Sequence, residues 1–237
     1  KMDYDYIICG GGASGLSIAE KLSSDSFFQN KKILIIDPDS PKNSNDRTWC
    51  FWEKKTNKRR DSVFYSWDKV LFKSDQFEKS ISLNPLSYKM LKSKNFYEQT
   101  NSSIRLNSNI SFLKETVVSV DDLTTHCEVK TSKKTYTSSK VFNSILDWNA
   151  LKNSTRYPLL IQHFEGWFIK TKKDFFNQNE ATFMDFSIEQ NSSTKFMYIL
   201  PFSKKEALIE YTLFSKELLD KKSYEKFLIE YLNRIGM

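Results

Sequence analysis

Apolar residues occur first as a run from Tyr4 to Cys9 interrupted by Asp5, then at helical spacing on Leu16, Ala19 and Leu22, then as a second run, KILIIDPD, ending near Asp37. Two apolar runs around one periodic segment predict a βαβ unit with buried strands. Beyond it the pattern turns to short alternating segments: KVLF near Lys69, KSISL near Lys79, ISFLKETVVSV from Ile110, CEVKT, and KTYTSSKVFNS. Between them NPLSYKMLKSKNFYEQT is predicted to be helical, with Pro85 suited to a first turn. From Ile161 the strands lengthen, as IQHFEGWFIKT, ATFMDFS, FMYILPF and ALIEYTLF, and KSYEKFLIEYLNRIG closes as an amphipathic helix with Gly236 as its C-cap. The expectation is a nucleotide-binding α/β part, about 1–84 and 104–150, interleaved with an antiparallel sheet, about 151–237, that carries the substrate face.

One position in ALIEYTLF breaks the pattern. Strict alternation puts Leu208, Glu210 and Thr212 on one face and Ile209, Tyr211 and Leu213 on the other. A lone glutamate in a strand looks by default at water, so other features must give Glu210 a different role.

Gly10, Gly12 and Gly15 fit G-x-G-x-x-G between the first strand and its helix, and Asp37 ends the next strand. Gly10 permits the tight turn, Gly12 lets a pyrophosphate approach the backbone, and Gly15 lets helix and strand pack closely. Asp37 is placed to accept from a ribose hydroxyl, or else is a turn acid before Pro38. With both strands, the helix and the acid in register, a dinucleotide site is expected. These residues do not separate NAD from FAD. Four of the six glycines lie within the first fifteen residues, so no late glycine segment is present to approach a flavin ring.

Composition narrows the picture further. Hydrophobic content of 39% with 15% aromatics excludes a disordered chain. The net charge of +7 raises nucleic acid or an anionic membrane as partners. The lysines are scattered singly, however, and KKTNKRRD, from Lys54 to Asp61, is the one dense basic cluster, so no nucleic-acid partner is expected. Cys9, Cys50 and Cys127 are odd in number and lack a CxxC, and His126 and His163 are isolated, so neither a disulfide framework nor a metal site is indicated. A reducing cytoplasm fits. No apolar run reaches a membrane-spanning length and the chain enters a strand at once, so a soluble or peripheral protein without a signal peptide is expected.

NDRTWCFW (Asn45 to Trp52), QHFEGW (Gln162 to Trp167), FMDF (Phe183 to Phe186) and YILPFSKKEALIEYTLFS (Tyr198 to Ser215) follow the glycine motif in that order. Together they resemble the lycopene cyclase family, flavoproteins that close β-rings on the ends of lycopene. The resemblance covers nearly the whole chain. It implies an α/β fold in which a Rossmann-type FAD-binding domain is interleaved with an antiparallel β-sheet substrate domain, as in the aromatic-hydroxylase-like flavoproteins, truncated at the C-terminus relative to the family. It also implies reduced FAD as cofactor, NAD(P)H as its reductant, lycopene as substrate, no net redox change, and peripheral association of a cytoplasmic enzyme with the membrane that holds the polyene.

Cyclising a polyene needs an acid for the terminal double bond, an apolar cavity to protect the cation, and a base to remove a ring proton. A carboxyl buried among apolar groups has its pKa raised and can serve as that acid near neutrality. Glu210 matches the family's catalytic glutamate. Asp185 in FMDF is either a second catalytic carboxyl or a hydrogen-bonding strut. Arg47 either contacts FAD or pairs with Asp46 or another surface acid. Trp49, Phe51, Trp52 and Trp167 are candidates to face the cation or to fill the core. Two other readings fit the same motifs: a flavin monooxygenase or prenyl-lipid reductase of this fold, and a non-catalytic dinucleotide- or lipid-binding remnant.

Overall fold

The computed structural model describes residues 2–39, 42–54, 62–153 and 159–237. In chain order its main elements are β1 (Tyr4–Cys9), α1 (Ala13–Ser24), β2 (Ile33–Ile36), β3 (Thr48–Lys54), β4 (Val63–Trp67), β5 (Lys69–Ser74), β6 (Phe77–Ser82) and β7 (Leu86–Lys92). There follow α2 (Ser93–Arg105), β8 (Ile110–Leu113), β9 (Val117–Asp122), β10 (Cys127–Thr131), β11 (Thr135–Asn143) and α3 (Trp148–Lys152). The chain closes with β12 (Ile161–Lys170), β13 (Glu180–Asp185), β14 (Thr194–Pro201), β15 (Glu206–Ser215) and α4 (Lys221–Arg234). It divides into two compact units, Lys1–Trp49 with Leu91–Trp148, and Cys50–Met90 with Asn149–Met237.

The first unit is built on a six-stranded sheet in the order β8-β2-β1-β11-β10-β9. Four of its strands are mutually parallel, and β10 and then β9 extend it through successive antiparallel pairings. Every residue of β2 is buried, as a continuous apolar run must be when both sheet faces are covered. Helix α1 buries Gly15, Leu16, Ala19 and Leu22, the stripe that the periodicity predicts, and packs against α2.

The second unit holds a six-stranded sheet, β12-β15-β14-β13-β5-β6, and a three-stranded one, β3-β7-β4. The compact units are bounded differently from the parts expected from the sequence. Residues 50–90 fall with the later strands because β5 pairs in parallel with β13, and α2 falls with the glycine motif. The helix predicted from Asn84 is also corrected: Leu86–Lys92 is a strand and the helix begins at Ser93. Residues Ser87 to Leu91 are all buried in the middle strand of their sheet, and that burial overrides the local helical preference. The run from Ile110 is likewise two strands, divided at residues 114–116. There Glu115 is buried and accepts a 2.6 Å hydrogen bond from the Thr131 hydroxyl.

Strand β15 buries both faces. Ile209, Tyr211 and Leu213 pack with Met197 against Tyr224, Leu228 and Tyr231 of α4, while Leu208 packs with Trp67, Tyr88, Met90, Ala181 and Leu200. Helix α4 ends as its sequence predicts, with Gly236 at φ +87°. Gly236 N–H donates to Asn233 O and Met237 N–H to Leu232 O, a Schellman closure. The helix is tied to the sheet by Tyr231, whose hydroxyl donates to Asp185 Oδ2 at 2.7 Å in a buried site. Removing that donor leaves a buried acceptor short of a partner, so Tyr231→Phe should lower stability by about 1–3 kcal/mol in urea unfolding. An unchanged midpoint would mean the tie contributes nothing.

Candidate functional site

In the first unit the strand-to-helix turn is shaped by its glycines. Gly10 adopts φ +102°, and a Cβ on Gly15 would lie 1.9 Å from the Gly10 carbonyl oxygen, so β1 and α1 approach this closely only without a side chain there. A Cβ on Gly12 would meet nothing within 4 Å, which leaves its backbone open to a ligand. Gly12 is also the N-cap of α1, with no side-chain cap and no acid in the first turn. Its neighbouring N–H groups can therefore serve an anionic group.

Asp37 is buried and already engaged. Its Oδ2 accepts from Gly11 N–H at 2.7 Å, its Oδ1 accepts from Asp39 N–H at 2.9 Å, and Lys42 Nζ stands 3.6 Å away. It thus clamps the glycine turn to the end of β2. Arg47 is exposed: its guanidinium donates to Asp46 O at 3.0 Å, and its backbone N–H donates to Ser93 Oγ. Trp49 belongs to this unit, edge-on to Phe96 and Tyr97. Of the basic cluster, Lys54 is exposed, while Lys55, Arg59 and Arg60 lie outside the described residues.

In the second unit, β15 runs between β12 and β14, and the register sets Gly166 and Tyr198 on either side of Glu210. The carboxyl shares a sheet face with Leu208, not with α4. Cys50, Tyr88 and Tyr198 are near enough to feel its charge. Tyr88 and Tyr198 continue into an aromatic wall: Tyr88 lies 5.5 Å and Tyr198 5.6 Å from Phe183, and Trp52 lies 4.5 Å from Tyr88, between ring centroids. Among the described residues, no hydrogen-bond donor or cation reaches Glu210, and burial alone pushes its carboxyl up from 4.5 to about 7. The same burial pushes the Cys50 thiol and the Tyr198 hydroxyl up to about 12, and raises Tyr88 as well. Glu210 is therefore the group on this face that changes protonation near neutrality.

The structure does not bring Asp185 to Glu210. Asp185 accepts from Tyr231 of α4 and from Ser187 N–H at 2.8 Å, and it pairs with Met197, whose side chain lies on the α4 face. The two carboxyls thus stand on opposite faces of one sheet. Of the four aromatic candidates, Trp52 reaches the Glu210 face, whereas Trp167 packs on the α4 side. Tyr88, Phe183, Tyr198, Cys50 and Gly166 escaped the sequence reading. The four-residue connection from Phe202 to Lys205 was a usable signal for pairing Tyr198 with Glu210, and a lone glycine within a strand pattern marks a close approach.

The description "lycopene cyclase protein" belongs to the family model that matches residues 5–237. No curated protein matches the sequence. Solved structures that are similar include a geranylgeranyl bacteriochlorophyll reductase-like protein from Thermoplasma acidophilum, at 11% identity and TM-score 0.63, matched over 98% of this chain and 62% of that one. The halogenase PltM, solved in complex with phloroglucinol and FAD, is similar at 11% identity and TM-score 0.66, over 98% and 57%. The p-nitrophenol 4-monooxygenase PnpA from Pseudomonas putida is similar at 11% identity and TM-score 0.61, over 98% and 62%. The likeness establishes the aromatic-hydroxylase-like fold, of which this chain spans less than two thirds of each neighbour's length.

The raised carboxyl carries a signature in stability. Glu210 has a higher pKa folded than unfolded, so the folded chain holds the extra proton between about pH 4.5 and 7 and stability falls as pH rises through that window. Glu210→Gln removes this dependence. Relative to wild type the variant should gain about 1–3 kcal/mol on going from about pH 4 to pH 8, read by urea unfolding at both values. A difference that does not change with pH would place the carboxyl in water.

Proposed function

The chain belongs to the lycopene cyclase family, and on that premise we propose that it closes β-rings on the ends of lycopene by acid–base chemistry, with Glu210 as the acid. The observation that carries this reading is a carboxyl with no ion-pair partner among the described residues, held among Tyr88, Tyr198 and Cys50 and titrating near neutrality. Near neutral pH about half of such groups carry the proton, so the acid form is at hand, and its transfer to a terminal double bond depends on surroundings that stabilise the cation formed. The resulting tertiary cation would meet aromatic faces such as Trp52, Phe183 and Tyr198, whose quadrupoles stabilise positive charge, and an environment poor in water. After donating, Glu210 is a desolvated carboxylate and is the candidate to take a proton back from the ring, so the cycle closes without net redox change. Asp185, bonded to Tyr231 and Ser187 on the other face, acts in this scheme as a strut and not as a second acid.

The glycine turn fits FAD. Gly10, Gly12 and Gly15 with the N-terminus of α1 would hold the pyrophosphate, Asp37 would keep the turn in place with a carboxylate toward the adenosine ribose, and Arg47 would supply a nearby cation. Reduced by NAD(P)H, the bound flavin would supply electron density that favours the cationic transition state. Lycopene partitions into lipid, so the enzyme would work at the membrane surface as a peripheral protein; among the described residues no helix is long and apolar enough to cross one.

Two experiments test this. The complete protein expressed in lycopene-accumulating cells should convert lycopene to β-carotene, and Glu210→Gln should lower conversion by about a hundredfold or more while flavin content persists. A product other than an isomer of lycopene, or a Gln variant that cyclises at the wild-type rate, would overturn the proposal. Cofactor released from the same preparation should be FAD by mass spectrometry, and recovery of NAD in its place would refute the cofactor assignment.

A further inference from the structure

Gly166 sits in the interior of β12, directly opposite Glu210. Glycine weakens a strand interior, and it is usually explained by a turn, a positive φ or a close approach. The first two do not apply: β12 continues for four residues beyond it, and the positive-φ glycines among the described residues are Gly10 and Gly236. The third does. A Cβ built on Gly166 would lie 2.8 Å from Glu210 Cγ and 3.3 Å from Glu210 Oε1, with Leu208 Cδ1 also at 3.3 Å. Real Cβ atoms essentially never stand as close to a heavy atom as that Cγ would.

The positions two residues away on this face of β12 are Phe164 and Phe168, paired with Thr212 and Leu208. The missing side chain therefore makes a one-residue notch between two phenylalanines, and Glu210 leans into it. On the other side of Glu210 stands Tyr198.

We propose that Gly166 is a positioning residue for the acid: its bare backbone creates the notch that holds the Glu210 carboxyl where the aromatic wall keeps it from water. This rests on the reading of Glu210 as the proton donor. A side chain at 166 displaces the carboxyl. The titration of Glu210 and the rate of cyclisation then change together, while the fold and the glycine turn of the other unit are untouched.

The steric claim is tested by a double-mutant cycle on the intact protein. Gly166→Ala should lower the melting temperature in the wild-type background, and lower it less or raise it in a Glu210→Ala background, where the Glu210 Cγ and Oε1 contacts are gone while the 3.3 Å approach to Leu208 Cδ1 remains. Equal effects in both backgrounds would overturn the proposal. The positioning claim is read from the infrared carbonyl band of protonated Glu210, assigned by its loss in Glu210→Gln, during a pH titration. In Gly166→Ala its midpoint should move by about one unit or more from the wild-type value, and a shift under about 0.3 units would likewise overturn the proposal. Neither measurement uses turnover. If Glu210→Gln still cyclises lycopene while Gly166→Ala moves the midpoint, the acid assignment fails and the notch stands.

Discussion

Hydration lost by one half-buried carboxyl is the constraint on which the functional account depends. Glu210 sits in a strand paired on both sides, among leucine and aromatic side chains, and among the described residues no cation and no hydrogen-bond donor reaches it. A charged carboxylate there loses hydration without compensation, so the neutral acid is favoured. An ion pair would have cancelled the effect: Glu53 on β3 is bridged by Lys89 at 2.8 Å, the arrangement that Glu210 lacks. An acid that holds its proton near neutrality among aromatic side chains is what the proposed cyclisation requires.

The sheet that carries Glu210 has two differently lined faces. The α4 side is a packed core of Met197, Ile209, Tyr211, Leu213, Tyr224, Leu228 and Tyr231, fixed by the Tyr231 bond to Asp185. His163 adds to it, with Nε2 2.8 Å from Ser215 Oγ and Nδ1 against the Tyr224 hydroxyl, and its pKa is lowered by burial. The opposite side holds the Glu210 carboxyl, with Tyr198 on one neighbouring strand and the bare backbone of Gly166 on the other. Alternation along β15 sends successive residues to one face or the other, so a shift of register by one residue would carry Glu210 to the α4 core.

Much of this was legible in the sequence because it is local. The two apolar runs, the glycine spacing, the α1 stripe and the Gly236 cap each follow from neighbours a few residues apart, and the structure has all of them. The alternation in ALIEYTLF also placed Glu210 with Leu208 and Thr212. It did not say that both faces are covered, because the cover comes from residues far away in the chain, among them Trp67, Tyr88 and Met90. The same long-range burial turned Leu86–Lys92 from an expected helix into a strand. Asp185 and Glu210 look equivalent as strand carboxyls in the sequence, and only the pairing register and the Tyr231 hydroxyl separate them. Gly166 was quoted within QHFEGW for its resemblance, while its meaning depends on a partner 44 residues later, which a single sequence does not reveal.

The claim at the centre is that Glu210 is protonated to a substantial degree at neutral pH. Carbon-13 NMR of the glutamate side-chain carboxyls, with the Glu210 resonance assigned by substitution, follows its ionisation directly. A midpoint near 7 is the expected result. A midpoint near the ordinary value of 4.5 would show a hydrated, ionised carboxylate and contradict its assignment as the acid.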